Sequence, residues 1–153
     1  MEVKGMVIDH IGIAVNSMER AIEHWEKVFG YRQHTEIITN TRQKVRVVFL
    51  EKAGSITIKL IEPVDSDSSN YNFVKRGGGI HHLCFKCENM DSEIVKLKQL
   101  GLRILVEPQP GEAFESENIS FIFAKNGLNI ELIDTDKKTG IIKSGDQEQA
   151  EKN

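Results

Sequence analysis

The stretch GGGIHHLCFKC, residues 77–87, places two histidines side by side at the head of an apolar run. Far upstream, VIDHIGIAV, residues 7–15, has the same shape: a polar pair, then alternating aliphatic and small residues. Asp9-His10-Ile11 matches His81-His82-Leu83 at an offset of 72, and ITIKLIE (56–62) matches LNIELID (128–134) at the same offset. Between these anchors NSMERAIEHWEKVFGYR parallels ENMDSEIVKLKQLGLR, with one residue of slippage at the glycine. A phrase written twice in the same order is the signature of an internal repeat.

Each copy reads alike. The opening strand alternates, with Ile11, Ile13 and Val15 on one face and His10, Gly12 and Ala14 on the other. A helix follows, capped by Ser17 in the first copy and Asn89 in the second. Its apolar stripe is Met18, Ala21, Ile22, Trp25, Val28 and Phe29, repeated as Met90, Ile94, Leu97 and Leu100. Gly30 and Gly101 end the helices. Three strands complete each copy: Arg32–Ile38, Val45–Leu50 and Ile56–Glu62, then Arg103–Glu107, Ile119–Ala124 and Leu128–Asp134. Ala53-Gly54 and Asn126-Gly127 are the hairpin turns. The expectation is an α+β fold of two βαβββ modules, 1–64 and 80–136, forming one domain around a shared cleft. Residues 65–79 are a linker with a short helical piece near Asn70–Arg76, and 137–153 a polar, flexible tail.

The length of 153 residues suits one compact domain, and 39% hydrophobic with 28% charged residues is ordinary for a globular protein. A net charge of −3 without a basic run argues against nucleic acid or an anionic membrane as partner. No apolar stretch approaches the roughly 18 residues of a membrane span. The N-terminus MEVKGMVIDH lacks a signal-peptide core, so a cytoplasmic location is expected. Cys84 and Cys87 spell C-x-x-C, but residues three apart on a strand point to opposite faces about 10 Å apart, too far for a disulfide. They read as two unrelated, reduced thiols.

Strand alternation also sorts the polar residues. Ile58 and Leu60 flank Lys59, and Ile130 and Leu132 flank Glu131, so both polar side chains lie opposite the helix-packed face. His82, Cys84 and Lys86 share that face with His10. His10, Lys59, His82 and Glu131 therefore converge on one surface.

With DHIGIAV, KLIEPVDSDS, FVKRGGGIHHLCF and GLNIELID in place, the chain over 1–136 resembles the vicinal-oxygen-chelate superfamily. That superfamily includes glyoxalase, methylmalonyl-CoA epimerase, extradiol dioxygenases and antibiotic-resistance proteins. The look is closest to the epimerase and glyoxalase branch. The resemblance implies a glyoxalase-like fold, a homodimer and a divalent metal (zinc, nickel, cobalt or iron). It places metal ligands at His10, His82 and Glu131 and at the position of Lys59, with His81 packing structurally beside His82.

Two positions depart from the family. Lys59 stands where Glu or Gln is usual, and a protonated lysine offers no lone pair. Arg42 stands where epimerases carry a glutamate thought to act as a base. The loop PQPGEAFESENISF carries Glu112, Glu115 and Glu117 where many relatives are basic. Three readings stay open: a retained metal on His10, His82 and Glu131; Lys59 in place of the metal; or four scattered polar core residues. The leading expectation is a metal-assisted isomerase, epimerase or lyase acting on a small oxygenated substrate. Glu131 serves as base or ligand, and Arg42 and Lys59 contact substrate. The alternative is a metal-free small-molecule binding protein using the same cleft.

Overall fold

In the computed structural model, which describes residues 5–143, the two copies of the histidine phrase are neighbouring strands. β1 (Val7–Ala14) and β6 (Gly79–Lys86) pair antiparallel, Gly12 opposite His82 and His10 opposite Cys84. Each is flanked by its own module's closing strand in parallel: β5 (Thr57–Pro63) beside β1, and β9 (Leu128–Ile133) beside β6. Parallel pairing needs a long crossover, which α1 (Met18–Phe29) and α3 (Met90–Gln99) begin. Outside lie β4 (Val45–Glu51) on β5 and β8 (Asn118–Ala124) on β9. The edges are β2 (Arg32–Gln33) and β3 (Ile38–Asn40) on β4, and β7 (Arg103–Pro110) on β8. A short α2 (Tyr71–Lys75) sits in the linker. No helix among the described residues is long and apolar enough to cross a membrane.

The helices start as their caps dictate. Ser17 Oγ accepts from Arg20 N–H, and Asn89 Oδ1 accepts from Ser92 N–H. The structure adds a second device, present in both copies. Glu62, at the end of β5, accepts the Met18 N–H at 2.6 Å, and Asp134, just past β9, accepts the Met90 N–H at 2.9 Å. A carboxylate at a helix N-terminus satisfies an orphan donor and the dipole together, and it pins helix to strand. Val28, Phe29 and Leu100, at the ends of the apolar stripes, stay exposed.

The sheet has two faces. One face packs on the helices: Met18, Val48, Leu50, Ile58 and Leu60 in the first module, Met90, Ile94, Leu97, Ile130 and Leu132 in the second. The other face is shared, and gathers Val45, Val47, Phe49 and Ile61 with Cys84, Phe114, Ile119, Phe121 and Ile133. Cys84 belongs to this inner face and Cys87 to the α3 side, and both are free thiols.

Two details differ from the sequence reading. The expected strand Arg32–Ile38 is broken, because Thr35 turns its Oγ1 to accept the Phe49 N–H and bridges to Ile141 instead of continuing the ladder. Residues 137–143, read as the start of a flexible tail, are bonded in place. Gly140 O accepts the Glu36 N–H, Ile142 N–H donates to His34 O, and Thr139 N–H donates to Ala113 O. The rest of the tail lies outside the described residues.

Candidate functional site

At the centre of the shared face β1, β5, β6 and β9 each contribute one polar side chain. His10, Lys59, His82 and Glu131 are exposed by no more than 5%. His10 and His82 are equivalent positions of the repeat, and so are Lys59 and Glu131. Three nitrogens gather on one carboxylate oxygen, Glu131 Oε1: His10 Nε2 at 3.0 Å, His82 Nε2 at 3.3 Å and Lys59 Nζ at 3.6 Å. The two imidazole Nε2 atoms are 3.3 Å apart. Phe49, Phe114 and Phe121 wall the group. Phe49 meets His10 edge-on, Phe114 stacks on His10, and Phe121 meets His82 edge-on.

The imidazoles are oriented from behind, by a device the sequence reading missed. The β1–β6 ladder slips at Asp9 and at His81, which are equivalent positions of the repeat. A bulge turns its extra residue out of strict alternation, so both side chains reach the following histidine. Asp9 Oδ2 lies 2.7 Å from His10 Nδ1, and His81 Nδ1 lies 2.9 Å from His82 Nδ1. A carboxylate can only accept, so His10 Nδ1 carries the proton and its Nε2 presents a lone pair to the chamber. Gly12 completes the support: a Cβ there would overlap the His82 ring. The small residue makes room for an imidazole.

Electrostatics follow from the burial. Desolvation pushes His82 down to about 4 and keeps it neutral; His81 is lowered for the same reason, with Lys59 adding to it. Burial works to raise the Glu131 pKa, yet the positive charge of Lys59, the largest opposing influence, holds it well below the ordinary carboxylate range, so it is ionised. Asp9 behaves likewise, with burial opposed by the hydrogen bond to His10 and by Lys138. Lys138 Nζ reaches Asp9 at 3.4 Å and lies 5.2 Å from the Phe49 ring centre. The buried layer therefore carries two carboxylates and two ammonium groups, which balance.

The cleft expected from sequence is covered. Phe114 rides on a 3-10 turn (Glu112–Phe114) and is 1% exposed. The turn is latched on both sides. Glu112 Oε1 accepts Thr41 N–H, Thr41 Oγ1–H and Arg42 N–H, while Thr139 Oγ1 donates to Glu112 O and accepts Glu115 N–H. Glu117 pairs with Lys137. The acidic loop is thus engaged by the chain itself. Arg42 is exposed on the turn between β3 and β4, at the rim and away from the central four.

The donor set suits a divalent metal in kind and spacing. His10 Nε2, His82 Nε2 and Glu131 Oε1 lie within 4.8 Å of one another. Their separations of 3.0–3.3 Å match those between ligands about 2.1 Å from one ion. Glu131 Oε1 is buried, close to three nitrogens and aligned in a hydrogen bond with none. Asp9, His10 and Cys84 form a second group of donors behind it.

A two-module sheet with this constellation has known counterparts, and a family model covering residues 9–123 matches the chain. The chain belongs to the glyoxalase/bleomycin resistance protein/dioxygenase superfamily. Members of this superfamily usually bind a divalent metal. Within it, the chain is 36% identical over 129 residues to the uncharacterized protein YqjC of Bacillus subtilis, spanning 82% of this chain and 89% of that one. It is 31% identical to the mitochondrial methylmalonyl-CoA epimerase of Bos taurus, a match spanning 65% of this chain and 57% of the bovine one. The solved methylmalonyl-CoA epimerase of Mycobacterium tuberculosis superposes with a TM-score of 0.77 at 31% identity, covering 88% of this chain and 92% of that one.

Proposed function

We propose that the chain is an isomerase of the epimerase type, which moves a proton on and off a carbon next to a carbonyl, with acyl-CoA thioesters as substrate class. The observation that carries this reading is the ionised, water-shielded Glu131 carboxylate facing the Lys59 ammonium and two imidazole nitrogens. Proton abstraction beside a carbonyl needs a base near the carbon and positive charge where the oxygen gains it. Glu131 takes the proton, the C–H electron pair moves into the enolate, and the protonated Glu131 returns the proton once the enolate has turned its other face to it. Lys59 Nζ holds the developing oxyanion, and Asp9 fixes the His10 ring beside it. Arg42, at the rim, meets a distal anionic part of the substrate. His10, His82 and Glu131 are the residues that would hold zinc, nickel, cobalt or iron if Lys59 were displaced, and such an ion would then supply Lewis-acid polarisation of substrate oxygens. The similarity to methylmalonyl-CoA epimerases supports the reaction class. A homodimer and a cytoplasmic location belong to the same reading, on the strength of the family resemblance and the sequence.

The cover favours a second reading, a metal-free binding protein that encloses a small anionic or aromatic molecule. One experiment separates the two. Methylmalonyl-CoA and unbranched acyl-CoA thioesters are incubated with the protein in deuterated water, and loss of the α-proton is followed by NMR. The epimerase reading expects exchange, a loss of about 100-fold or more in Glu131→Gln, and a raised KM with little change in kcat in Arg42→Ala. Ligand-dependent thermal stabilisation without exchange would establish the binding protein instead.

A further inference from the structure

We propose that Lys59 is the resident cation of the buried site: its ammonium occupies the cluster in place of a divalent metal, and the two exclude one another. This goes beyond the reaction class and holds for an enzyme or a binding protein alike. The repeat makes Lys59 the counterpart of Glu131, so the four central positions are a pseudo-symmetric box of two imidazoles, one carboxylate and one ammonium. Lys59 Nζ is 3.6 Å from Glu131 Oε1, the same oxygen that faces both Nε2 atoms. The ammonium therefore lies where any ion bound by those three atoms would feel it at close range.

The side chain is held there. It is 6% exposed, and its Nζ lies 5.1 Å and 5.7 Å from the centres of the Phe114 and Phe49 rings, within cation–π range of both. Charge then decides the occupant. Asp9 and Glu131 against Lys138 and Lys59 leave the chamber neutral, so a divalent ion would add two uncompensated positive charges to a site shielded from water. The metal-like spacing of the three donors is thus a box already fitted with its own cation. Only displacement or removal of the amine opens it to metal.

The test is metal content, independent of any activity. Wild type, Lys59→Gln, Lys59→Met and Lys59→Arg are produced in medium supplemented with zinc, cobalt and nickel. They are analysed by elemental analysis and, after chelator treatment, titrated with Co(II) and Zn(II) by calorimetry and visible absorption. Circular dichroism verifies folding. Wild type and Lys59→Arg are expected to carry no stoichiometric metal. Lys59→Gln is expected to bind one ion at least about 100-fold more tightly than wild type, because the like charge is gone, with the d–d bands of site-bound Co(II). Lys59→Met, which keeps the three other donors, gains binding in the same direction and serves if the glutamine variant does not fold. One tightly held ion per wild-type chain would overturn the proposal. A folded Lys59→Gln or Lys59→Met with no gain in affinity would overturn it equally, since Lys59 would not be what excludes the metal. If no substitution of Lys59 folds, a metal-free wild type that stays metal-free on titration still supports it. Failure of deuterium exchange would sink the epimerase reading and leave this result untouched.

Discussion

Gly12 shows how much can rest on one missing atom. Its hydrogen lies against the His82 ring, and a methyl group there would claim the same space. Gly12→Ala is expected to cost about 1–3 kcal/mol, the usual range for overpacking a filled core. It should also turn His82 away from Glu131, visible as shifted His82 imidazole resonances in NMR with the other histidines little changed. His82 makes stability depend on pH as well. Its folded pKa, about 4, lies below the ordinary 6.5, so between these values the unfolded chain binds the proton and the folded chain does not. Stability conferred by neutral His82 is complete above about 6.5 and falls as the pH drops towards 4, by an order-of-magnitude 3 kcal/mol. Urea denaturation at several pH values from 7.5 to 4.5 measures it, and His82→Gln should flatten the slope. An unchanged slope in that variant would mean His82 is not the group responsible. The central four residues were legible because strict alternation places each on the inner face. Asp9 was not, because a bulge breaks the alternation that such a reading relies on.

Among the elements, the cover over the site is the least legible and the easiest to loosen. The strap 135–143 has no periodicity, and its hold on the fold is largely backbone hydrogen bonding, which side-chain patterns do not announce. Its polar residues read as tail for that reason. The break at Thr35 was hidden likewise, since its cause is a pairing with Ile141, more than a hundred residues away in the chain. The helices and hairpins, by contrast, depend on neighbours: caps at Ser17 and Asn89, and an Asn126-Gly127 turn with both residues at positive φ. Thr139→Val removes two hydrogen bonds of the strap, to Glu112 O and from Glu115 N–H. The expected local loss is about 1–2 kcal/mol. It should appear as faster amide hydrogen exchange at Phe114–Glu117, with β1 and β6 unchanged. Equal acceleration throughout the sheet would show that the strap supports the whole fold, not only the cover.

Across the whole molecule, one repeated phrase explains most of the architecture. Two copies of β1-type strands pair at the seam, so equivalent side chains from each half meet in one chamber. Divergence within the repeat then sets the chemistry: Asp9 against His81 behind the imidazoles, Lys59 against Glu131 beside them. The offset in the sequence carries that information. The sealing of the chamber is carried by contacts such as Lys138 with Asp9, 129 residues apart, for which no local pattern exists. The strap also follows every strand in chain order, which bears on how the protein is made. During synthesis β1 to β9 leave the ribosome before residues 135–143 do, and a domain folds as a unit as its chain becomes available. The latch on the Phe114 turn is thus the last described piece of the site to emerge, and it can close only after synthesis has passed Thr139.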